Sequence, residues 1–129
     1  MCCIYPANPF LKTKNLQKAL KILKLENKIE YVFTATKYNH PVERSFKLSN
    51  NGFFNQNNKN FDKRTQDIKD SYHDGAQFYF SNTANWKKKK KIFSKNSKPI
   101  ILSEIECHDI DNPIDIKMAA IKFKLKKRK

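Results

Sequence analysis

The segment Tyr31-Val32-Phe33-Thr34-Ala35-Thr36 constrains the fold more than any other. It is β-branched and aromatic, and none of its residues insists on solvent. Such a run fits a strand covered on both faces, as in a parallel sheet carrying helices. Upstream, Leu16, Ala19, Leu20 and Leu23 fall at i, i+3, i+4 and i+7, one face of an amphipathic helix. Thr13 is expected to cap that helix and Glu26-Asn27 to end it. A short strand from Ile4 to Phe10 is expected to run into the loop Pro6-Ala7-Asn8-Pro9. Strand, helix and strand together form a βαβ unit with a right-handed crossover, which makes the expected class α/β.

The middle of the chain has another texture. Arg44 to Leu48 and Phe53-Phe54 flank Ser49-Asn50-Asn51-Gly52, whose glycine suits positive φ, so a β-hairpin is expected there. Residues 55–63 are rich in Asn and Lys and read as a mobile loop. The polar stretch Arg64 to Tyr72 leads into an aromatic strand, Gln77-Phe78-Tyr79-Phe80. A weak helix over Asn82 to Lys90 and a third apolar strand, Pro99 to Leu102, follow. The final helix is the best marked: Asp111 or Asn112 caps it, Pro113 takes its first position, and Asp115 sits in its first turn. Ile116, Ala119, Ala120 and Phe123 then repeat at helical spacing. The 129 residues are expected to form a single domain, 1–129, with the hairpin region, about 40–80, as an insertion.

Charge invites a different reading. With 27 Lys+Arg against 12 Asp+Glu, the formal net charge is 27 − 12 = +15, and a small Lys-rich nucleic-acid-binding protein is the alternative. Almost all of the charge is Lys, however, and Arg44, Arg64 and Arg128 are the only arginines. The guanidinium fork that grips phosphate and reads guanine is therefore scarce. The runs Lys87 to Lys91 and Lys124 to Lys129 fit solvated helix ends or loops, with nucleic acid held only non-specifically. A hydrophobic share of 39% excludes wholesale disorder. No apolar run approaches the roughly 18–20 residues of a spanning helix, and Met1 to Pro6 lacks the basic start of a secretory signal. The expected location is the cytoplasm.

Three cysteines, two of them neighbours, make a poor disulfide framework. A zinc site from Cys2, Cys3, Cys107 and His108 lacks the usual spacer between ligands. Buried cysteines at strand ends are expected instead. Asp109 and Asp111, two apart at the end of an expected strand, point the same way and suit a hard cation such as Mg²⁺; capping the last helix is their other use. Arg64-Thr65-Gln66-Asp67 and Tyr72-His73-Asp74-Gly75-Ala76-Gln77-Phe78-Tyr79 combine an Arg fork, amides and aromatic walls. That combination fits a carboxylated sugar.

In order along the chain stand Cys3 to Leu11, Val32 to Thr36, Pro41-Val42-Glu43-Arg44, Arg64-Thr65-Gln66-Asp67, Tyr72 to Tyr79, Ile92-Phe93-Ser94 and Asp109-Ile110-Asp111-Asn112-Pro113. This order resembles the acylneuraminate cytidylyltransferases, and within them the pseudaminic acid cytidylyltransferase branch. The resemblance implies a partial Rossmann-like nucleotide-sugar transferase fold, with a mixed or parallel sheet and a protruding hairpin that supports a homodimer. It implies a reaction in which CTP and a nonulosonic acid give a CMP-sugar and pyrophosphate with Mg²⁺ assistance. Asp109 and Asp111 then correspond to the metal pair, and Arg44, Arg64, Gln66, Asp67, Gln77 and Tyr79 to sugar-pocket residues.

Three departures stand out. Gly75 and Ala76 are transposed relative to the family's Asp-Ala-Gly-Gln-Phe, which leaves Ala76 where a glycine is expected. The position of Asn8 is usually smaller or hydroxylated. The family chain is nearly twice as long, and its opening strand and basic nucleotide-binding loop are expected before Met1. The chain is thus expected to be a carboxy-terminal portion, inactive by itself.

Overall fold

A computed structural model describes residues 1–55 and 61–127. Part of the loop expected over 55–63, and Arg128 and Lys129 of the terminal basic run, lie outside the described residues. The chain divides into two compact units, one comprising Met1–Thr36 with Asp74–Lys129 and the other Lys37–His73. Among the described residues, no helix is long and apolar enough to cross a membrane.

The larger unit is an α/β layer built on a mixed sheet. Its strands are β1 (Cys2–Ile4), β2 (Tyr31–Lys37), β5 (Tyr72–Ser81) and β6 (Ser97–Leu102), in the order β1-β5-β2-β6. β1 runs antiparallel to β5, with Cys2 opposite Phe80, and β2 runs parallel to β6, with Tyr31 opposite Ser97. β2 is buried almost throughout, as its composition requires. The simple βαβ unit does not form, because β5 lies between β1 and β2. The apolar Phe78, fully buried, gives β5 a claim on the centre that the three-residue β1 lacks.

Helix α1 (Thr13–Leu25) covers the sheet through Ala19, which joins Val32, Phe78 and Ile100 in the core. Burying such an aliphatic or aromatic side chain contributes about 1.5–3 kcal/mol. Leu16, Ile22 and Leu23 pack around that core, whereas Leu20 is exposed, so the buried stripe lies to one side of the expected face. Thr13 is not the cap. Lys12, held extended beside its ion-pair partner Glu106, precedes the helix without a side-chain capping bond.

Helix α2 (Thr83–Lys87) is shorter than expected. Asn82 Oδ1 accepts from Asn85 N–H at its start, and Lys89, at φ +50°, turns the chain away beyond its end. The Lys87 to Lys91 run is exposed there, with Lys90 bonded to Glu30. Helix α3 (Pro113–Lys127) starts as its sequence demands: Asn112 Oδ1 accepts from Ile114 and Asp115 N–H, and Asp115 Oδ2 accepts from Asn112 N–H. This reciprocal pair is a capping box. Of its expected apolar face only Ala119 is buried; Ile116 and Phe123 are exposed. With Pro9, Phe10, Ile110 and Ala120 they line an open groove.

The smaller unit carries the hairpin, β3 (Lys47–Leu48) against β4 (Phe54–Asn55). It is tighter than expected, because Val42–Arg44 forms a 3₁₀ turn instead of extending the strand. Gly52 turns the tip at φ +78°, and Ser49 N–H donates to the Phe53 carbonyl at 2.8 Å. Phe46, Leu48, Phe53 and Phe54 are all exposed.

Candidate functional site

The polar residues of the larger unit gather around a local break in β5. Ala76 has φ +47°, and Gly75 lies so close to β2 that a Cβ there would sit 3.2 Å from the Thr34 backbone. Gln77 N–H donates to Thr34 Oγ1 at 3.1 Å. Asp74 braces the irregular turn. Its Oδ1 accepts from Ala76 N–H at 3.2 Å, and its Oδ2 accepts from Tyr79 Oη.

Tyr79 is almost fully buried, edge-on to Tyr5 at 5.5 Å and to Phe93 at 6.0 Å. Burial first, and then the bond to the Asp74 carboxylate, push its phenol far above its ordinary value, so it stays protonated and donates. Gln77 is fully buried; its Nε2 donates to the Glu106 carbonyl at 2.6 Å, and its Oε1 has no donor among the described residues. Asn8 repeats the pattern, with Nδ2 donating to the Ala76 carbonyl at 2.8 Å and Oδ1 without a donor among the described residues. Two residues apart on β5, Gln77 and Tyr79 are thus both part of a buried polar cluster. Their partners Asp74 and Glu106 were missed by sequence reasoning. Asp74 stands in the motif itself and could have been found as a short polar residue next to a glycine; the Glu106 carbonyl carries no sequence signal.

Asp109 and Asp111 do not stand at a strand end. β6 stops at Leu102, and both aspartates lie on the connection to α3. That connection is pinned. Lys122 Nζ donates to the Glu104 and Cys107 carbonyls, both at 3.0 Å, Cys107 Sγ reaches the Gly75 carbonyl at 3.7 Å, and a His108 ring nitrogen pairs with the Asp115 carbonyl. Burial raises the Cys107 thiol, Lys122 pulls it back, and the Asp74 and Asp109 carboxylates each push it up again. Asp109 and Asp111 are exposed, and each is a hard oxygen donor. Asp109 spends one oxygen on Ile110 N–H at 3.1 Å, while the Asp111 N–H bonds to Asp115. Two such carboxylates fit Mg²⁺, which typically takes one or two and keeps several waters. Among the described residues, no group of three or more His, Cys, Asp or Glu could hold a metal. All three cysteines are free. Cys3 is exposed and Cys107 lies in the connection, so the expected burial at strand ends does not hold for them.

The remaining expected residues belong to the smaller unit. Arg64, Gln66 and Asp67 share one 3₁₀ turn (Thr65–Asp67 and the residue before it), and Arg64 Nε pairs with Asp67 Oδ2 at 3.3 Å. Arg44 joins them by donating to the Lys63 carbonyl at 2.8 Å. All four side chains are exposed. An exposed ion pair contributes about 0–1 kcal/mol, so an incoming carboxylate can displace Asp67 from Arg64 at little cost. The cavity of about 110 Å³ in this unit is lined by other residues, among them Lys37, Tyr38, Thr65 and Asp70.

The chain matches no protein-family model. Pseudaminic acid cytidylyltransferases from two Campylobacter jejuni strains, of serotypes O:23/36 and O:2, are 32% and 31% identical to it over 126 residues. Each comparison takes in 97% of this chain and 54% of the relative. A Helicobacter pylori protein, named pseudaminic acid cytidylyltransferase and UDP-2,4-diacetamido-2,4,6-trideoxy-β-L-altropyranose hydrolase, is 36% identical over 109 residues, which is 84% of this chain and 21% of that protein. The chain spans about half the length of the Campylobacter relatives, consistent with a C-terminal half. On this similarity, which runs through both units and takes in almost every residue, the chain is homologous to the pseudaminic acid cytidylyltransferases over about half of their length.

Proposed function

We propose that the chain supplies the sugar-binding and metal-binding part of a nonulosonate cytidylyltransferase of Rossmann-like fold. In the reaction, the anomeric hydroxyl of the sugar attacks the α-phosphate of CTP and pyrophosphate leaves. The observation that carries this reading is the similarity to pseudaminic acid cytidylyltransferases across 97% of the chain. The cluster of half-buried Asp74 with buried Gln77 and Tyr79 supports it, since fixed donors and acceptors of this kind orient a polyhydroxylated substrate. Arg64, with Arg44 beside it, is the pairing group for the sugar carboxylate, and Gln66 and Asp67 serve its hydroxyls. Asp109 and Asp111 would hold Mg²⁺, whose chemistry is to offset the phosphate charge. The exposed aromatics of the hairpin support a homodimer, and the cytoplasm, where CTP is made, is the proposed location.

These 129 residues correspond to about half of the Campylobacter relatives, so on their own they are proposed not to complete the transfer. The test is pyrophosphate release from CTP with pseudaminic acid and Mg²⁺. The chain alone should release none, and the chain together with the unmatched portion of the Campylobacter jejuni relative should release it only when all three are present. Turnover by the chain alone overturns its incompleteness. A folded but inactive combination overturns the assignment.

A further inference from the structure

Two side-chain amides of the larger unit are tied down through their nitrogens, Asn8 Nδ2 on the Ala76 carbonyl at 2.8 Å and Gln77 Nε2 on the Glu106 carbonyl at 2.6 Å. Only the NH₂ end of an amide can donate, so each anchor decides which way its amide faces. The opposite ends, Asn8 Oδ1 and Gln77 Oε1, are buried and meet no donor among the described residues. The third such oxygen, Glu43 Oε2, belongs to the smaller unit. The Asn8 anchor is the residue immediately before Gln77 on β5, whereas the Gln77 amide is anchored on the connection between β6 and α3. A buried acceptor without a donor is costly, and native structures keep one where something outside the chain supplies the hydrogen.

We propose that Asn8 is a specificity-determining residue which, together with Gln77, receives N–H or O–H donors of the bound sugar and turns its carboxylate away. This rests on the sugar-binding reading above. Both amides are neutral and present only an acceptor. Neither can flip to donate without surrendering its anchor and setting its oxygen against a backbone carbonyl. A carboxylate or ring oxygen finds no partner there, whereas a hydroxyl or acylamino N–H does. Sites with polar groups fixed in this way reject ligands that lack the matching group far better than apolar pockets reject a size difference.

The experiment is a titration of the ¹⁵N-labelled chain with free pseudaminic acid, and separately with Mg²⁺ alone, following the side-chain NH₂ signals of Asn8 and Gln77. The sugar should move both signals. Asn8→Ala should weaken sugar binding about tenfold, the scale of one lost hydrogen bond in a site, without lowering the thermal midpoint, because it also removes a buried acceptor that has no donor. Asn8→Ser is the second variant should the alanine not fold. Unchanged sugar affinity in the folded variant overturns the proposal, as does movement of both signals by Mg²⁺ alone; either result leaves the sugar-binding reading in place. No binding of the sugar by the unaltered chain overturns both.

Discussion

Ala76→Gly should stabilise the protein, against the usual direction for putting glycine into a strand. Ala76 sits at φ +47°, and the left-handed region costs an L-residue roughly 1–2 kcal/mol. Glycine removes that cost but frees the unfolded chain by about 0.4–1 kcal/mol. The net gain is about 0.5–1 kcal/mol, which at this chain length raises the thermal midpoint by about 2–4 °C. Gly75→Ala should do the reverse. Its Cβ would lie 3.2 Å from the carbonyl carbon, carbonyl oxygen and Oγ1 of Thr34, and Thr34 is fully buried. Backbone atoms of a central strand cannot swing aside, so the cost is about 1–3 kcal/mol, the range for overpacking. Exchanging the two residues, which restores the order expected from the family resemblance, should therefore lose stability overall. Thermal and urea denaturation of the three variants give the comparison. An Ala76→Gly midpoint that is unchanged or lower refutes the placement of strain at Ala76, and would mean that the Asp74 bond to its N–H already offsets it.

The other substitutions test separate parts of the argument. Tyr79→Phe removes the donor to Asp74 and should cost about 1.5–3 kcal/mol by urea denaturation, the range for a bond to a charged group. Asn112→Ala removes the oxygen that receives two N–H groups at the start of α3; the loss should be about 1 kcal/mol, with lower helicity by far-ultraviolet circular dichroism. Glu30 is held below its ordinary value of 4.5, first by its bond to Lys90. Its contribution is therefore present above pH 4.5 and is lost as pH falls through the depressed value. Glu30→Gln should flatten that part of the midpoint-against-pH curve; an unchanged slope would count against the pair.

What could be read in advance follows the range of the forces involved. The β2 strand and the start of α3 were legible because their causes are local: an unbroken apolar run in one case, and Asn112, Pro113 and Asp115 at capping positions in the other. Strand order was not. The pairing of Cys2 with Phe80 joins distant parts of the chain, and nothing near either residue encodes it. The burial of Gln77 could be inferred from its aromatic neighbours, but not its anchor, a backbone carbonyl that looks alike in every residue. Asp109 and Asp111, two apart, read as the end of a strand, but β6 stops at Leu102 and no strand reaches them. Instead Lys122 from α3, and Cys107 and His108 within the connection itself, tie it down. The Arg64–Asp67 pair was within reach, since a three-residue separation inside a turn brings such charges together.

The smaller unit begins after Thr36 and ends before Asp74, and its two ends are stitched to each other. Tyr38 N–H donates to the Ser71 carbonyl at 3.0 Å, and Lys37 Nζ pairs with Asp70 at 2.6 Å. β2 and β5, which carry those ends, are neighbours in the sheet. Residues entering and leaving so close together form a cassette, in the genetic as well as the mechanical sense. One recombination event can add, remove or exchange such a segment without moving a core residue, and a short turn in its place should leave the remaining sheet able to close. Its length and hairpin can then drift at a different pace from the strands that carry Gln77 and Tyr79. Lineages sharing the sheet chemistry are therefore expected to differ most between Lys37 and His73.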